Sequence, residues 1–239
     1  FGVLKAGGIC VTTMPLLRAR ELQYVIEKAN VSIALCDADL AEEMVGALEL
    51  TDSIGSTLYF SKAGSGGEAA TMETACDSKS GTFSNINTAA DDVALIAFTS
   101  GTTGAPKGVT HSFRSLLART ALNRTHIGDA NLARSLCVLP THFGHGLIGN
   151  CLTPLLAGAD LFLHAGMGVK AVPGLGPLLV DNDITFVSSV PTFWKIALKL
   201  AKPPAKQTLG QIHIGSAPLS AELWRAVQSW SGTDNVHNM

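Results

Sequence analysis

Apolar residues recur along the chain in two rhythms. Gly7 to Thr13 is a short apolar, β-branched run and is read as a strand. From Arg20 the spacing changes, and Leu22, Val25, Ile26 and Ala29 fall on one face of a helix. Val31 to Leu35 is strand-like again, and Ala41 to Leu48 helical. Val93 to Phe98 (VALIAF) is continuously apolar, as expected of a strand buried on both faces. Phe113 to Leu122 reads as a helix, Ser135 to Leu139 as a strand ended by Pro140, Leu147 to Leu156 as a helix and Leu161 to Leu163 as a strand. Gly166 to Pro177 is rich in Gly and Pro and reads as a loop. A strand at Thr185–Val190, a helix at Phe193–Leu200, a strand at Ile212–Ile214 and a helix from Ser220 to about Trp230 complete the pattern. Strands alternating with helices predict an α/β protein with parallel sheets covered by helices.

Ser61 to Asp92 breaks the pattern. It is rich in Ser, Gly, Thr, Ala and Asn, without sustained periodicity, and is expected to be a long surface connection. It divides the 239 residues into a first αβ portion (1–60), the connection (61–92) and a second αβ portion (93–239).

Composition narrows the function classes. Hydrophobic residues make up 46% and charged residues 15%, which excludes a largely disordered chain. A net charge of -2 offers no basic field for nucleic acid or an acidic membrane surface. The most apolar long stretch, Gly146 to Leu163, is interrupted by Asn150, Thr153, Pro154 and Asp160, so no integral membrane segment is expected. The five cysteines (Cys10, Cys36, Cys76, Cys137, Cys151) show no CxxC pair and read as reduced, buried small hydrophobes of a cytoplasmic protein. The sequons at Asn30 and Asn123 read as chance matches.

The stretch that carries chemistry is Thr99 to Gly108, TSGTTGAPKG. It follows the buried strand and is expected to lead straight into a helix. It brings together the hydroxyls of Thr99, Ser100, Thr102 and Thr103, the glycines Gly101, Gly104 and Gly108, and Lys107. Glycines let backbone amides turn toward an anion, hydroxyls donate to phosphate oxygens, and the lysine supplies mobile positive charge. This inventory suits a polyphosphate. It is not the common nucleotide loop, because Pro106 stands where the second glycine is needed, and no GxGxxG occurs.

The stretch resembles the phosphate-binding loop of the adenylate-forming (AMP-binding) family, which includes acyl-CoA synthetases, luciferase and peptide-synthetase adenylation domains. Further stretches share the resemblance: LKAGG at Leu4–Gly8, Leu139-Pro140 with the cluster Thr141 to Gly146, PLLAG at Pro154–Gly158, Val190-Pro191-Thr192, and GSAPL at Gly215–Leu219. The resemblance implies layered, mostly parallel sheets flanked by helices, as part of the large N-terminal domain of an adenylate-forming enzyme. It implies an acid–thiol ligase: a carboxylate attacks the α-phosphate of MgATP to give an acyl-adenylate and pyrophosphate, and coenzyme A then takes the acyl group. ATP, Mg2+ and coenzyme A would be the co-substrates, and a fatty or aromatic carboxylic acid the partner. Lys107 and Thr102 would be catalytic. Thr99, Ser100, Gly101, Thr102, Thr103, Gly104 and Lys107 would hold phosphates, and Gly215, Ser216, Ala217 and Pro218 would lie along the adenine. His142, Phe143, Gly144 and Leu147 would line the substrate pocket, with His142 and Phe143 sharing the position of the family's aromatic or histidine residue. No residue is assigned as a metal ligand.

Within the resemblance, an amino-acid-activating domain that loads a carrier protein is the alternative. Thr141 to Gly146 offers no aspartate to pair an ammonium group, which favours a simple acid. A non-catalytic nucleotide-binding protein, and a metal hydrolase built on His142 and His145, are the readings from other classes. His111 either caps its helix or approaches phosphate. His164, His213 and the three tryptophans read as structural. The family's later motifs, which carry the magnesium-binding Glu, the ribose-binding Asp and the C-terminal Lys, are not in the chain. It is therefore expected to be an internal fragment that does not turn over alone.

Overall fold

The structure, a computed structural model, describes residues 1–60, 71–77, 79–99, 106–164 and 172–239. It divides into two compact units, Phe1–Arg114 and Ser115–Met239.

The first unit opens with a short helix, α1 (Gly2–Lys5), then β1 (Cys10–Thr12) and α2 (Ala19–Lys28). The helical stripe read from the sequence is the buried face of α2: Leu22, Val25 and Ile26. Glu43, on α3 (Ala41–Leu48), ties the start of α2 down by accepting from Arg18 Nη1 at 2.7 Å and from the Ala19 backbone at 2.9 Å. These bonds hold its carboxyl below the usual carboxylate range. Strand β2 (Ile33–Asp37) pairs in parallel with β3 (Ser56–Phe60), a strand the hydrophobic pattern did not announce. The expected surface connection carries a short helix, α4 (Met72–Asp77), that buries none of its residues. The VALIAF run is β4 (Val93–Thr99), with Ala94 and Leu95 buried. It pairs in parallel with β1 and antiparallel with β5 (Lys107–Ser112). The chain after the Thr99–Gly108 stretch therefore enters a strand before any helix. With Lys107, Thr110, His111 and Ser112 polar and the strand mostly exposed, β5 leaves no buried apolar run to read.

The second unit begins with α5 (Phe113–Ile127, from Ser115 onward), followed by α6 (Asp129–Leu132) and β6 (Arg134–Cys137). His145–Leu152 is a π-helix that continues as α7 (Thr153–Leu156). The backbone N–H and the hydroxyl of Thr153 both donate to the Ile148 carbonyl five residues back, which widens the turn. Then follow β7 (Asp160–Leu163), α8 (Leu175–Asp181), β8 (Phe186–Ser189), α9 (Pro191–Leu200), β9 (Gln211–Ile214), α10 (Ala221–Ser231) and β10 (Val236–Asn238). Helix α8 begins within the Gly/Pro-rich stretch expected to be a loop to Pro177, and runs beyond it. Its Leu175 and Leu179 are buried in the core.

The sheet of this unit runs β10-β9-β8-β6-β7, all parallel. Its core gathers Leu136, Leu179, Ile184, Val187, Trp194, Ile212, Ile214, Val227 and Trp230. Trp194 and Trp230 meet edge to face at 5.5 Å, and the Trp230 indole donates to the Ala201 carbonyl. Trp224, by contrast, is largely exposed. Ser220 caps α10 by accepting from the Leu223 backbone at 3.2 Å, and Gly232 closes it in the left-handed region. Among the described residues, no helix is long and apolar enough to cross a membrane.

Candidate functional site

Of the expected phosphate-loop residues, Thr99 and Lys107 are described; Ser100, Gly101, Thr102, Thr103 and Gly104 lie outside the described residues. Thr99 ends β4 and Lys107 starts β5, directly opposite each other in the antiparallel register. The Thr99 hydroxyl donates to the Lys107 carbonyl at 3.4 Å. Lys107 is exposed, and among the described residues its ammonium makes no ion pair. Gly108 packs under the sheet: a Cβ there would stand 2.8 Å from Ile96. The two described ends of the stretch thus stand side by side on paired strands, one with a hydroxyl and the other with an ammonium. His111 sits within β5 opposite Leu95, so it does not cap a helix.

In the second unit the other expected residues gather at the C-terminal ends of parallel strands, the end of an open α/β sheet where ligands bind. Gly215 to Pro218 leave β9 beside β8, and the Gly215 N–H donates to the Ser189 carbonyl at 3.0 Å. Ser216 has φ +66, a left-handed conformation that costs a non-glycine residue energy. A ring explains how it is held. His145 Nδ1 meets Ser216 Oγ at 3.0 Å, and Nε2 meets Ser188 Oγ at 2.8 Å. One imidazole therefore bridges the end of β8 to the loop after β9. Burial, with the charge of Arg119 on α5 behind it, depresses the pKa of His145, so the ring is neutral at pH 7. A neutral ring offers one donor and one acceptor, and two hydroxyls match that set in either tautomer. Asn150, from the same π-helix, donates to the Ser188 carbonyl at 2.8 Å. The Asn150 Oδ1 and Ser189 Oγ atoms are buried there without a hydrogen-bond partner among the described residues.

The pocket segment is held by close backbone approach. A Cβ on Gly146 would lie 2.0 Å from the Pro140 carbonyl oxygen, whereas one on Gly144 would meet nothing within 4 Å. The His142 and Phe143 rings meet at a tilt of 53°, their centroids 4.1 Å apart, and Phe143 is exposed. Leu147 is half-buried on the π-helix. Burial also lowers the His142 pKa.

His145, Ser188 and Asn150 are the residues that sequence reasoning passed over as site members. For His145 the sequence suggests pocket lining, packing or a metal ligand; in the structure both its ring nitrogens are taken by serines. The signal was present in Gly144-His145-Gly146, a polar ring between two glycines, but its partners lie 43 and 71 residues away. His213 is buried, and its ring groups with those of His126 and His237 at 5.5 Å. Burial, and then the neighbouring His237, His126 and His145, push its pKa down to about 4. Gln211 Nε2 donates to its Nε2 at 2.7 Å. No three His, Cys, Asp or Glu side chains among the described residues are arranged to hold a metal ion.

Comparison with known proteins covers the whole chain. A family model described as AMP-binding enzyme matches residues 1–239. Gramicidin S synthase 2 of Brevibacillus brevis is 24% identical over 238 residues, spanning 100% of this chain and 5% of its own. The 3-hydroxybenzoate/4-hydroxybenzoate–CoA ligase of Thauera aromatica is 28% identical over 180 residues, 69% of this chain and 32% of its own. In fold, the chain is similar to an anthranilate CoA ligase solved with anthranoyl-AMP, with a TM-score of 0.84 and 19% identity over 98% of this chain and 45% of that one. It is also similar to a benzoate CoA ligase from Burkholderia xenovorans LB400, with a TM-score of 0.82 and 21% identity over 99% of this chain and 46% of that one. The chain thus spans less than half the length of these relatives.

Proposed function

The chain belongs to the AMP-binding enzyme family, and from that premise we propose that it serves the ATP-dependent activation of a carboxylic acid as an acyl-adenylate, followed by thioester formation with coenzyme A. The observation that carries this reading is the pairing of Thr99 with an exposed Lys107 at the two ends of the Thr99–Gly108 sequence stretch, in a chain matched by the family from end to end. A carboxylate is a poor electrophile, and joining it to ATP brings two anions together. Oriented amides and a cation must offset that repulsion and ease the departure of pyrophosphate. Thr99, Ser100, Gly101, Thr102, Thr103 and Gly104 supply the donors and Lys107 the cation. Thr102 and Lys107 act on the reacting phosphates. Mg2+ enters with ATP as part of the substrate complex.

In the second unit, Gly215 to Pro218 take the adenine side of the adenylate, and His142, Phe143, Gly144 and Leu147 take the acyl side. His145 fixes the strained Ser216 turn from below. We assign an aryl acid as substrate, supported by the benzoate-type CoA ligases among the relatives and by the apolar Phe143 and Leu147 of the pocket segment. The full-length peptide-synthetase match favours a second reading, an amino-acid-adenylating domain. Against it stands the lack of an acidic residue in Thr141–Gly146.

ATP–pyrophosphate exchange by the full-length gene product, stimulated by substituted benzoates, straight-chain acids or amino acids in turn, decides. Benzoates are expected to stimulate exchange. Stimulation by amino acids alone would move the chain to the second reading, and no stimulation by any acid would remove both.

A further inference from the structure

The imidazole that bridges β8 to the loop after β9 joins two hydroxyls of unlike exposure. Ser188, whose Oγ lies 2.8 Å from His145 Nε2, is buried at 6% exposure. Ser216, whose Oγ lies 3.0 Å from Nδ1, is exposed. Ser216 is also strained. Among the described residues, Asn30 and Asp183 share its positive φ, but their side-chain types tolerate that conformation and serine does not. The strain falls at a sharp turn between a buried parallel strand, β9, and the helix α10. Gly215 makes room for the turn, because a Cβ there would stand 2.9 Å from the Met239 carbonyl oxygen. A strained serine on a strand-to-helix turn, open to solvent and bonded to an imidazole, has the geometry of an activated nucleophile. The G-x-S-x-G spacing that usually announces such a serine is absent, since Ile214 and Pro218 stand where the glycines would be.

We propose that Ser216 is a nucleophile with His145 as its general base, acting on activated esters, acyl compounds that carry a good leaving group. In the tautomer the step needs, the Ser216 hydroxyl donates to Nδ1 and Nε2–H donates to Ser188 Oγ. Ser216 Oγ attacks the carbonyl carbon and its proton passes to Nδ1. The bond from carbon to the leaving oxygen breaks, the proton leaves on the released alcohol, and the acyl group stays on Oγ. Water then attacks the acyl-serine, gives its proton to Nδ1, and that proton returns to Ser216 Oγ as the acid departs. The sum is ester plus water to acid plus alcohol, with nothing oxidised or reduced. His145 is neutral at pH 7 and so free to take the proton.

The rest of the constellation sets the expected speed. Ser188 orients the ring from its buried side, and Asn150 holds Ser188 in turn through its backbone carbonyl. The ring's second partner is therefore a hydroxyl and not a carboxylate. In a serine protease, replacing that carboxylate by a neutral group costs roughly 10⁴-fold in kcat. A good leaving group departs with little help from the ring, so acylation goes forward. Attack by water depends on the ring and lags behind. The acyl group thus accumulates on Ser216 and is released slowly. This chemistry needs neither ATP nor a thiol, so it goes beyond acid activation and does not depend on it.

The test treats the full-length gene product, without ATP or thiol, with p-nitrophenyl acetate and separately with a fluorophosphonate, and maps the adducts by peptide mass spectrometry. The expected adduct in both cases is on Ser216, with p-nitrophenolate released in a burst stoichiometric with the protein. Labelling should slow in acid as the ring takes a proton, and slow roughly 100-fold in His145→Gln. Ser216→Gly should abolish it and still fold, because glycine adopts the positive φ freely. Cys76 is the rival nucleophile, being exposed on α4 against the expectation that all five cysteines are buried. Adducts on Cys76 or on lysines, with Ser216 unmodified, overturn the proposal. Ser216 labelling that is as fast in acid as at neutral pH removes His145 as its base. Both readings come from the wild-type protein, so a misfolded variant would not leave them open.

Discussion

The paired strand ends at Thr99 and Lys107 and the His145 bridge treat polar groups in opposite ways. Lys107 stands exposed on a polar strand, with its ammonium in no ion pair among the described residues. His145 has both ring nitrogens bonded, sits over a strained serine, and rides on a helix pressed to within van der Waals limits of Pro140. A charge that must meet a mobile polyphosphate is best left unspent in the free protein. A residue that must hold a loop in one shape is best spent fully. Substitutions at the first should therefore cost activity and little stability, and substitutions at the second should cost stability first.

The largest expected effect is Gly146→Ala. Its Cβ would strike the Pro140 carbonyl oxygen at 2.0 Å, backbone against backbone, so the π-helix must move or the chain unfolds. A loss of about 3 kcal/mol or more is expected in urea unfolding. Acid comes next. The unfolded chain binds a proton at position 213 near pH 6.5, and the folded chain only near pH 4. Stability from this residue is complete above pH 6.5 and is lost as pH falls toward 4, by about 3 kcal/mol. Unfolding free energies measured across that window should fall less steeply in His213→Leu than in the wild type, by one proton's worth of slope. An equal slope would show that His213 is solvated in the folded protein.

Lys107→Ala is the crossing case: pyrophosphate exchange should drop roughly 100-fold, while the unfolding midpoint stays put. A destabilised Lys107→Ala would erase the contrast between the regions. His145→Phe keeps the ring and removes both hydrogen bonds, leaving two serine hydroxyls behind, for a cost of about 1–2 kcal/mol. Gly144→Ala should be the mildest, within about 0.5 kcal/mol, because open space surrounds its Cβ. A Gly144→Ala as damaging as Gly146→Ala would mean that the pocket segment packs differently.

These regions also differ in how readable they were. The Thr99–Gly108 stretch could be read because its chemistry is local: ten consecutive residues hold the hydroxyls, glycines and lysine. Most strands and helices could be read for the same reason, since a buried face leaves a periodic trace, as in α2 and α3. What escaped has no such trace. Strand β5 is polar and exposed, and α8 is helical despite Gly and Pro because its leucines fill the core. The π-turn at Thr153 rests on a backbone choice of acceptor. The His145 bridge joins residues that meet only once parallel strands align their C-terminal ends.

The most direct test of acid activation is a single-turnover reaction of the full-length gene product with ATP and a substituted benzoate, without thiol, read by mass spectrometry. The expected result is an acyl-AMP and pyrophosphate, strongly diminished in Lys107→Ala. ADP and phosphate in their place, or an adenylate that forms equally well in Lys107→Ala, would contradict it.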